Sequence, residues 1–154
     1  MDTSKLNFIQ LENLNIGEKA PLFRTYNEKG IKVIAKNLYN KRKTLILFIS
    51  TNCPVCKEIL TDIKNVTSNY DLNFLIINSD ELSNDKHITE KIDHSKVNYI
   101  RSNQITSLYF IRNVPYGLLI DERGIISLSN YIKDVNVLYN MLLNEQINTK
   151  PVSV

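Results

Sequence analysis

The chain lacks tryptophan altogether and holds only two cysteines, four glycines and four prolines in 154 residues. Two cysteines are too few for a small secreted scaffold, which spreads several bridges along its length. So little Gly and Pro excludes collagen-like and low-complexity architectures, and no internal repeat is present. A dominant charge is missing too. Nineteen Lys and Arg face sixteen Asp and Glu, for a net charge of +3, and no basic run exceeds Lys41-Arg42-Lys43. Nucleic-acid binding, which needs a clustered cationic face, is therefore not expected. Long hydrophobic runs are also absent. The longest, Leu45 to Ile49, is far short of the roughly 20 residues that cross a bilayer. Met1 to Ala20 contains no unbroken apolar core of the secretory kind. As it stands the chain is expected in the cytoplasm, or tethered outside the membrane if an anchor precedes this sequence.

What is present is ordinary for one globular domain: 43% hydrophobic and 23% charged residues. We expect an N-terminal arm over residues 1–15 and a single domain over 16–148. Residues 22–36 predict a β-hairpin with Gly30 in its turn. Thr44 to Ser50 is a continuous apolar run of strand length, the pattern of a strand buried on both faces. After Cys53 the period changes: Val55, Ile59, Ile63 and Val66 recur at helical spacing. Phe74-Leu75-Ile76-Ile77 predicts the next strand, which completes a right-handed βαβ unit. Ser83 to His94 and Gln104 to Ile111 predict two further helices. Leu118 to Ile120 and Ile125 to Leu128 flank the turn Asp121-Glu122-Arg123-Gly124 as an antiparallel hairpin. A last helix is expected over residues 134–146. The fold class is α/β, a mixed central sheet flanked by helices.

Both cysteines fall in one motif, Cys53-Pro54-Val55-Cys56, where the strand over 44–50 gives way to a helix. A helix start presents unpaired N–H groups and partial positive charge, which favour a thiolate. Cys56 lies one turn along the same face, within disulfide reach, and Pro54 suits the first turn, where no N–H is needed. Cys53 is thus expected to attack and Cys56, more buried, to resolve. Lys57 is either an electrostatic aid or a solvated helix residue. Structural zinc needs four ligands; there is no second cysteine pair, and His87 and His94 are too far apart in sequence for a finger. Two inert core cysteines would be the remaining reading. No metal or organic cofactor is called for. A second signal is Val114-Pro115, directly before the strand that ends at Ile120. A cis proline beside a dithiol would turn the Val114 backbone outward to pair with an extended substrate segment.

The chain resembles the redoxin branch of the thioredoxin fold. Ile16-Gly17-Glu18-Lys19-Ala20-Pro21-Leu22-Phe23 is similar to the motif that opens such domains. Ser50-Thr51-Asn52-Cys53-Pro54-Val55-Cys56-Lys57 and Val114-Pro115-Tyr116-Gly117-Leu118-Leu119-Ile120-Asp121 are similar to two more, in the right order. Within the branch it looks like the membrane-associated thiol–disulfide proteins of methylamine-dehydrogenase maturation, with cytochrome-maturation thioredoxins as more distant cousins. The resemblance implies a thioredoxin-like sheet, an N-terminal hairpin and an extra helix near residues 83–93. It implies Cys53 as attacking thiol, Cys56 as resolving thiol and Pro115 as the cis proline. Pro54, Val55, Val114, Pro115 and Tyr116 would line the substrate groove. The implied activity is dithiol–disulfide exchange with a protein thiol or disulfide substrate and a separate redox partner, in either direction, by a monomer.

Three departures bear on the chemistry. Asn52 stands where many relatives carry Trp. Thioredoxin's buried acid would fall near Leu47, and the acid of the cytochrome-maturation relatives at Ile59, with Glu58 on the wrong face. The proton acceptor for Cys56 is therefore unassigned. Two other functions compete. A redoxin-type peroxidase needs a proline and a hydroxyl before its cysteine; Ser50 supplies the second, but Ile46 occupies the place of the first. A non-catalytic binding module would dock partners around Val55, Val114 and Tyr116 without using the thiols, and Tyr116 reads equally as a core or strand-face tyrosine.

Overall fold

The computed structural model describes residues 14–80 and 85–144. The expected arm over 1–15 therefore lies almost wholly outside the described residues, as does the expected domain end at 148. In chain order the elements are β1 (Arg24–Tyr26), β2 (Lys32–Ile34), α1 (Ala35–Lys41), β3 (Thr44–Ile49), α2 (Pro54–Asn69), β4 (Asn73–Asn78), α3 (Lys86–Thr89), β5 (Val97–Arg101), α4 (Asn103–Leu108), β6 (Tyr116–Ile120), β7 (Ile126–Tyr131) and α5 (Val135–Asn144). β5, β4, β3, β6 and β7 form one sheet in that order, and β1 and β2 form the hairpin. β3, β4 and β5 run parallel, while β6 and β7 are antiparallel to their neighbours. This is the expected thioredoxin-like arrangement.

The centre of the sheet follows from β3. All six of its residues are buried, and alternation sends them to opposite faces. Leu45, Leu47 and Ile49 pack with Cys56, Ile59, Ile63 and Val66 of α2 and Leu138 of α5. Ile46 and Phe48 pack with Tyr39 of α1, Tyr109, and Leu75 and Ile77 of β4. On that second face the Tyr39 and Tyr109 hydroxyls lie 2.8 Å apart, and Tyr109 donates onward to the Pro21 carbonyl. Burial pushes the Tyr39 hydroxyl up to about 12.

The hairpin forms as expected, with Gly30 at φ 75° and the Asn27 side chain accepting from the N–H groups of Lys29 and Ile31. It is tied to the sheet edge by Glu28 N–H to Tyr99 O at 3.2 Å and by Glu28 to His94 at 2.9 Å.

Four expectations change. α1 directly follows β2, where only the end of a hairpin was expected. β5 was not expected either: as an edge strand it mixes buried Val97, Tyr99 and Ile100 with Asn98 and Arg101, so neither period shows cleanly. The helix expected over 83–94 is described only over Lys86–Thr89, residues 81–84 lying outside the described set. Its C-terminal part is replaced by a turn in which the Asp93 carboxylate accepts from both N–H and hydroxyl of Ser95, local bonding that competes with a helix. The helix expected to reach Ile111 stops at Leu108 because Tyr109 turns inward against Phe48 and Phe110 follows at φ 57°.

No helix among the described residues is long and apolar enough to cross a membrane.

Gly117 sits where α5 approaches the sheet. A Cβ there would lie 3.0 Å from Ile132 Cδ1 and 3.3 Å from Met141 Cε. Gly117→Val is therefore expected to cost about 1–3 kcal/mol through overpacking, read as a lower urea midpoint.

Candidate active site

β3 ends at the C-terminal edge of the sheet, and the chain must turn there to lay α2 back across one face. The turn is closed by Cys53 N–H to Ser50 O at 3.3 Å and by Asn52 N–H to Ser50 Oγ at 3.4 Å. Cys53 is the N-cap of α2: its backbone is extended (φ −95°, ψ 117°) and Pro54 occupies the first helical turn. The Cys53 sulfur accepts from the Cys56 N–H at 3.2 Å, filling the place an Asp or Ser side chain takes at other helix starts. One of the helix's unpaired donors is thereby aimed at the sulfur.

The two thiols are free and differ in access: Cys53 is half-buried and Cys56 fully buried. Burial pushes the Cys56 thiol well above its ordinary value, and its hydrogen bond to Cys53 adds to the rise; backbone bonding at Ser50 offsets part of it. Cys56 is therefore a protonated thiol at neutral pH, held behind the sulfur that faces solvent.

The second expected element meets the first. The Val114–Pro115 bond is cis, and the Val114 carbonyl lies 3.8 Å from Cys53 Sγ, placed to accept from its thiol. Val114 is half-buried and Pro115 buried. Around the thiols Pro54 is exposed, while Val55 is half-buried against the cluster that contains Cys56. These four residues and the two cysteines thus come together at one edge of the sheet. Tyr116 does not join them. It is 7% exposed, packs on the opposite face with Phe48 and Leu118, and shares a hydrogen bond with Ser129. Strand alternation decides this: one residue past Pro115, the side chain points through the sheet rather than into the groove.

The positions where relatives carry acids are apolar here. Leu47 and Ile59 are buried in the same cluster as Cys56, whereas Glu58 and Lys57 are exposed. His87 is exposed, and His94 is bonded to Glu28 and to the Thr89 carbonyl. Among the described residues no three His, Cys, Asp or Glu side chains cluster as a metal site. A cleft of 790 Å³ lined by Lys64, Asn65, Ser68 and the 92–96 turn lies elsewhere, about 12 Å or more down α2 from Cys56.

Sequence reading missed three residues at this edge. Thr51 of the turn donates a hydrogen bond to the Asp80 carboxylate, and the Asp80 N–H donates to buried Asn78 at 3.1 Å. The signal was the polar triplet Asn78-Ser79-Asp80 closing an apolar parallel strand, because the carboxyl ends of such strands are where sites form.

A model of the AhpC/TSA family matches residues 16–131. The methylamine utilization protein MauD of Methylobacillus flagellatus is 26% identical over 113 residues, 73% of this chain and 55% of that protein. MauD of Paracoccus denitrificans is also 26% identical, with 73% and 56% covered. The chain thus spans about half the length of these curated relatives. Among solved structures, a thio-disulfide isomerase from Thermus thermophilus superposes with TM-score 0.67 at 17% identity, covering 88% of this chain and 99% of that one. A putative thiol:disulfide interchange protein DsbE from Chlorobium tepidum gives TM-score 0.66 at 20% identity, covering 85% and 97%. At such identities the structures establish the shared fold.

Two results are expected from this geometry. In the reduced protein at pH 7, iodoacetamide labels Cys53 and leaves Cys56 unlabelled, as peptide mass analysis reports. The pH dependence follows from the sign of the Cys56 shift. A thiol whose folded value is raised contributes stability that is complete below the unfolded value of 9.0 and declines as pH rises from there toward the folded value, because the unfolded chain ionises first. Cys56→Ser should flatten the fall in urea midpoint of the reduced protein above pH 9.

Proposed function

The chain belongs to the AhpC/TSA family, and from that premise we propose that it exchanges disulfides with protein substrates through Cys53 and Cys56. The observation that carries this reading is the pair of unequal thiols at the start of α2, one half-buried and capping the helix, the other buried behind it. In the reducing direction the Cys53 thiolate attacks one sulfur of a substrate disulfide. A Cys53–substrate disulfide forms and a substrate thiolate leaves. Cys56 then attacks Cys53 Sγ, its proton passing to a departing substrate sulfur. Two electrons have moved to the substrate, which leaves with one thiol and one thiolate, the latter taking its proton from water, and the Cys53–Cys56 disulfide remains. Run backward, the same steps oxidise a dithiol substrate. A separate dithiol or disulfide partner resets the pair.

The substrate segment is proposed to lie extended against Val114, with Pro54, Val55 and Pro115 supplying the surrounding apolar contact. Both cysteines and this backbone come from one chain, so the reaction needs only a monomer. The likeness to MauD supports a role in methylamine utilization, and the motif at residues 16–23 is the part shared with peroxidases. A peroxidase reading is disfavoured by Ile46, which is built into the middle of β3 where a proline would be required.

The test is a redox titration against glutathione. A potential near thioredoxin's ≈ −270 mV indicates a reductant, and one near ≈ −120 mV a disulfide donor. Absence of any intramolecular disulfide across the series would sink the proposal. Cys53→Ser is expected to abolish exchange, whereas Cys56→Ser should accumulate a mixed disulfide with substrate, visible on a non-reducing gel.

A further inference from the structure

A chain of hydrogen bonds runs along the ends of β4 and β5 and finishes in the turn that carries Cys53. Asp85 Oδ1 accepts from the Tyr99 hydroxyl at 2.7 Å, with Arg101 Nη1 3.4 Å from Asp85 Oδ2. The Tyr99 hydroxyl accepts from Asn78 Nδ2 at 3.0 Å. Asn78 is fully buried, and its Oδ1 accepts from the Asp80 N–H at 3.1 Å. The Asp80 carboxylate accepts from the Thr51 hydroxyl. The directions are not interchangeable. A carboxylate only accepts, so Tyr99 must donate to Asp85 and has its lone pairs free for Asn78. That orients the Asn78 amide, which turns its oxygen toward Asp80 and holds the Asp80 backbone beside the turn. The backbone is stitched at the same place by Ser79 N–H to Ile49 O at 3.0 Å.

We propose that Asp80, braced by Asn78, is a positioning residue for disulfide exchange at Cys53. This rests on the function proposed above. Thr51 lies inside the turn whose ends are Ser50 and Cys53, joined by the bond from Cys53 N–H to Ser50 O. The Thr51–Asp80 hydrogen bond ties the turn to the end of β4 and so restrains where the turn can move. The position of the turn decides whether Cys53 Sγ stands in line with the Cys56 N–H and next to the Val114 carbonyl. Asn52 is exposed, and its side chain can slide without moving the thiol. Thr51, tethered to a second strand, cannot.

The test compares Thr51→Val, which keeps shape and loses the hydroxyl, with Thr51→Ser, which keeps the hydroxyl. It pairs Asp80→Ala with Asp80→Asn, which retains an acceptor oxygen. The rate of reduction of dithiobis(nitrobenzoate) by the reduced protein and the pH profile of Cys53 alkylation are read for each, beside the urea midpoint. Thr51→Val and Asp80→Ala are expected to slow exchange about tenfold and to move the alkylation profile. Thr51→Ser and Asp80→Asn should recover the rate to within about twofold, and the Thr51→Val/Asp80→Ala double variant should be no slower than the slower single, as for partners in one interaction. Should Thr51→Val fail to fold, the Asp80 pair carries the same comparison. Wild-type rates and profiles in the hydroxyl-less and Ala variants would overturn the proposal, as would rate losses that multiply in the double variant or a urea midpoint that falls while the alkylation profile stays put. Exchange missing from the wild-type protein itself would instead overturn the function on which the proposal rests.

Discussion

The site depends on one hydrogen bond, from the Cys56 N–H to Cys53 Sγ. It exists because a strand buried on both faces has to stop at the sheet edge and hand over to a helix within a few residues. β3 cannot be moved: it is laddered to β4 on one side and β6 on the other and covered above and below. The start of α2 is therefore set by the core, and a helix start carries donors without intrahelical partners. A cysteine placed as N-cap uses one of them. Had a serine or aspartate stood there, the helix would be capped as well and the chemistry lost, so the capping geometry and the nucleophile share a single position.

Much of this was legible because the central elements have strong patterns. The apolar run over 44–49, the change of period at Val55, the cysteine pair at the junction and the Pro before β6 each point to one structure, and they agree with one another. What was hidden has a common physical cause. β5 pairs on one side only, so its pattern is neither continuous nor alternating. Tyr116 reads from the sequence as either a groove or a core residue; the pleat reverses direction at every residue, so adjacency to Pro115 places its side chain on the far face. The triplet Asn78-Ser79-Asp80 is visible in the sequence, but its partners Tyr99 and Thr51 lie 21 and 29 residues away, and no local period marks such pairs.

The surroundings of Cys56 separate two tasks that a buried acid performs together. In this chain Leu47 and Ile59 enclose the resolving thiol, so its environment is apolar and its thiol form is favoured. Neither of these two positions supplies a base. In the proposed exchange, resolution then depends on the substrate sulfur that leaves. Such an arrangement makes the second step sensitive to the leaving thiol: a substrate whose thiolate is stable leaves quickly, and one whose thiolate is not lingers as a mixed disulfide.

That dependence explains why the polar bracket is worth its buried amide. A buried Asn directly after the apolar run Phe74–Ile77 is costly unless its donors and acceptor are matched, and here its oxygen and its NH2 group are both engaged. A Leu at that place would pack as well and would leave the Asp80 N–H and the Tyr99 hydroxyl each short of a partner. With Leu47 and Ile59 beside Cys56, the lever left to the proposed exchange is orientation of the Cys53 sulfur. Orientation is what a rigid, directional chain from β5 through β4 to the turn can supply. On the proposed function, the polar groups stand where they would aim Cys53, and the apolar groups enclose Cys56.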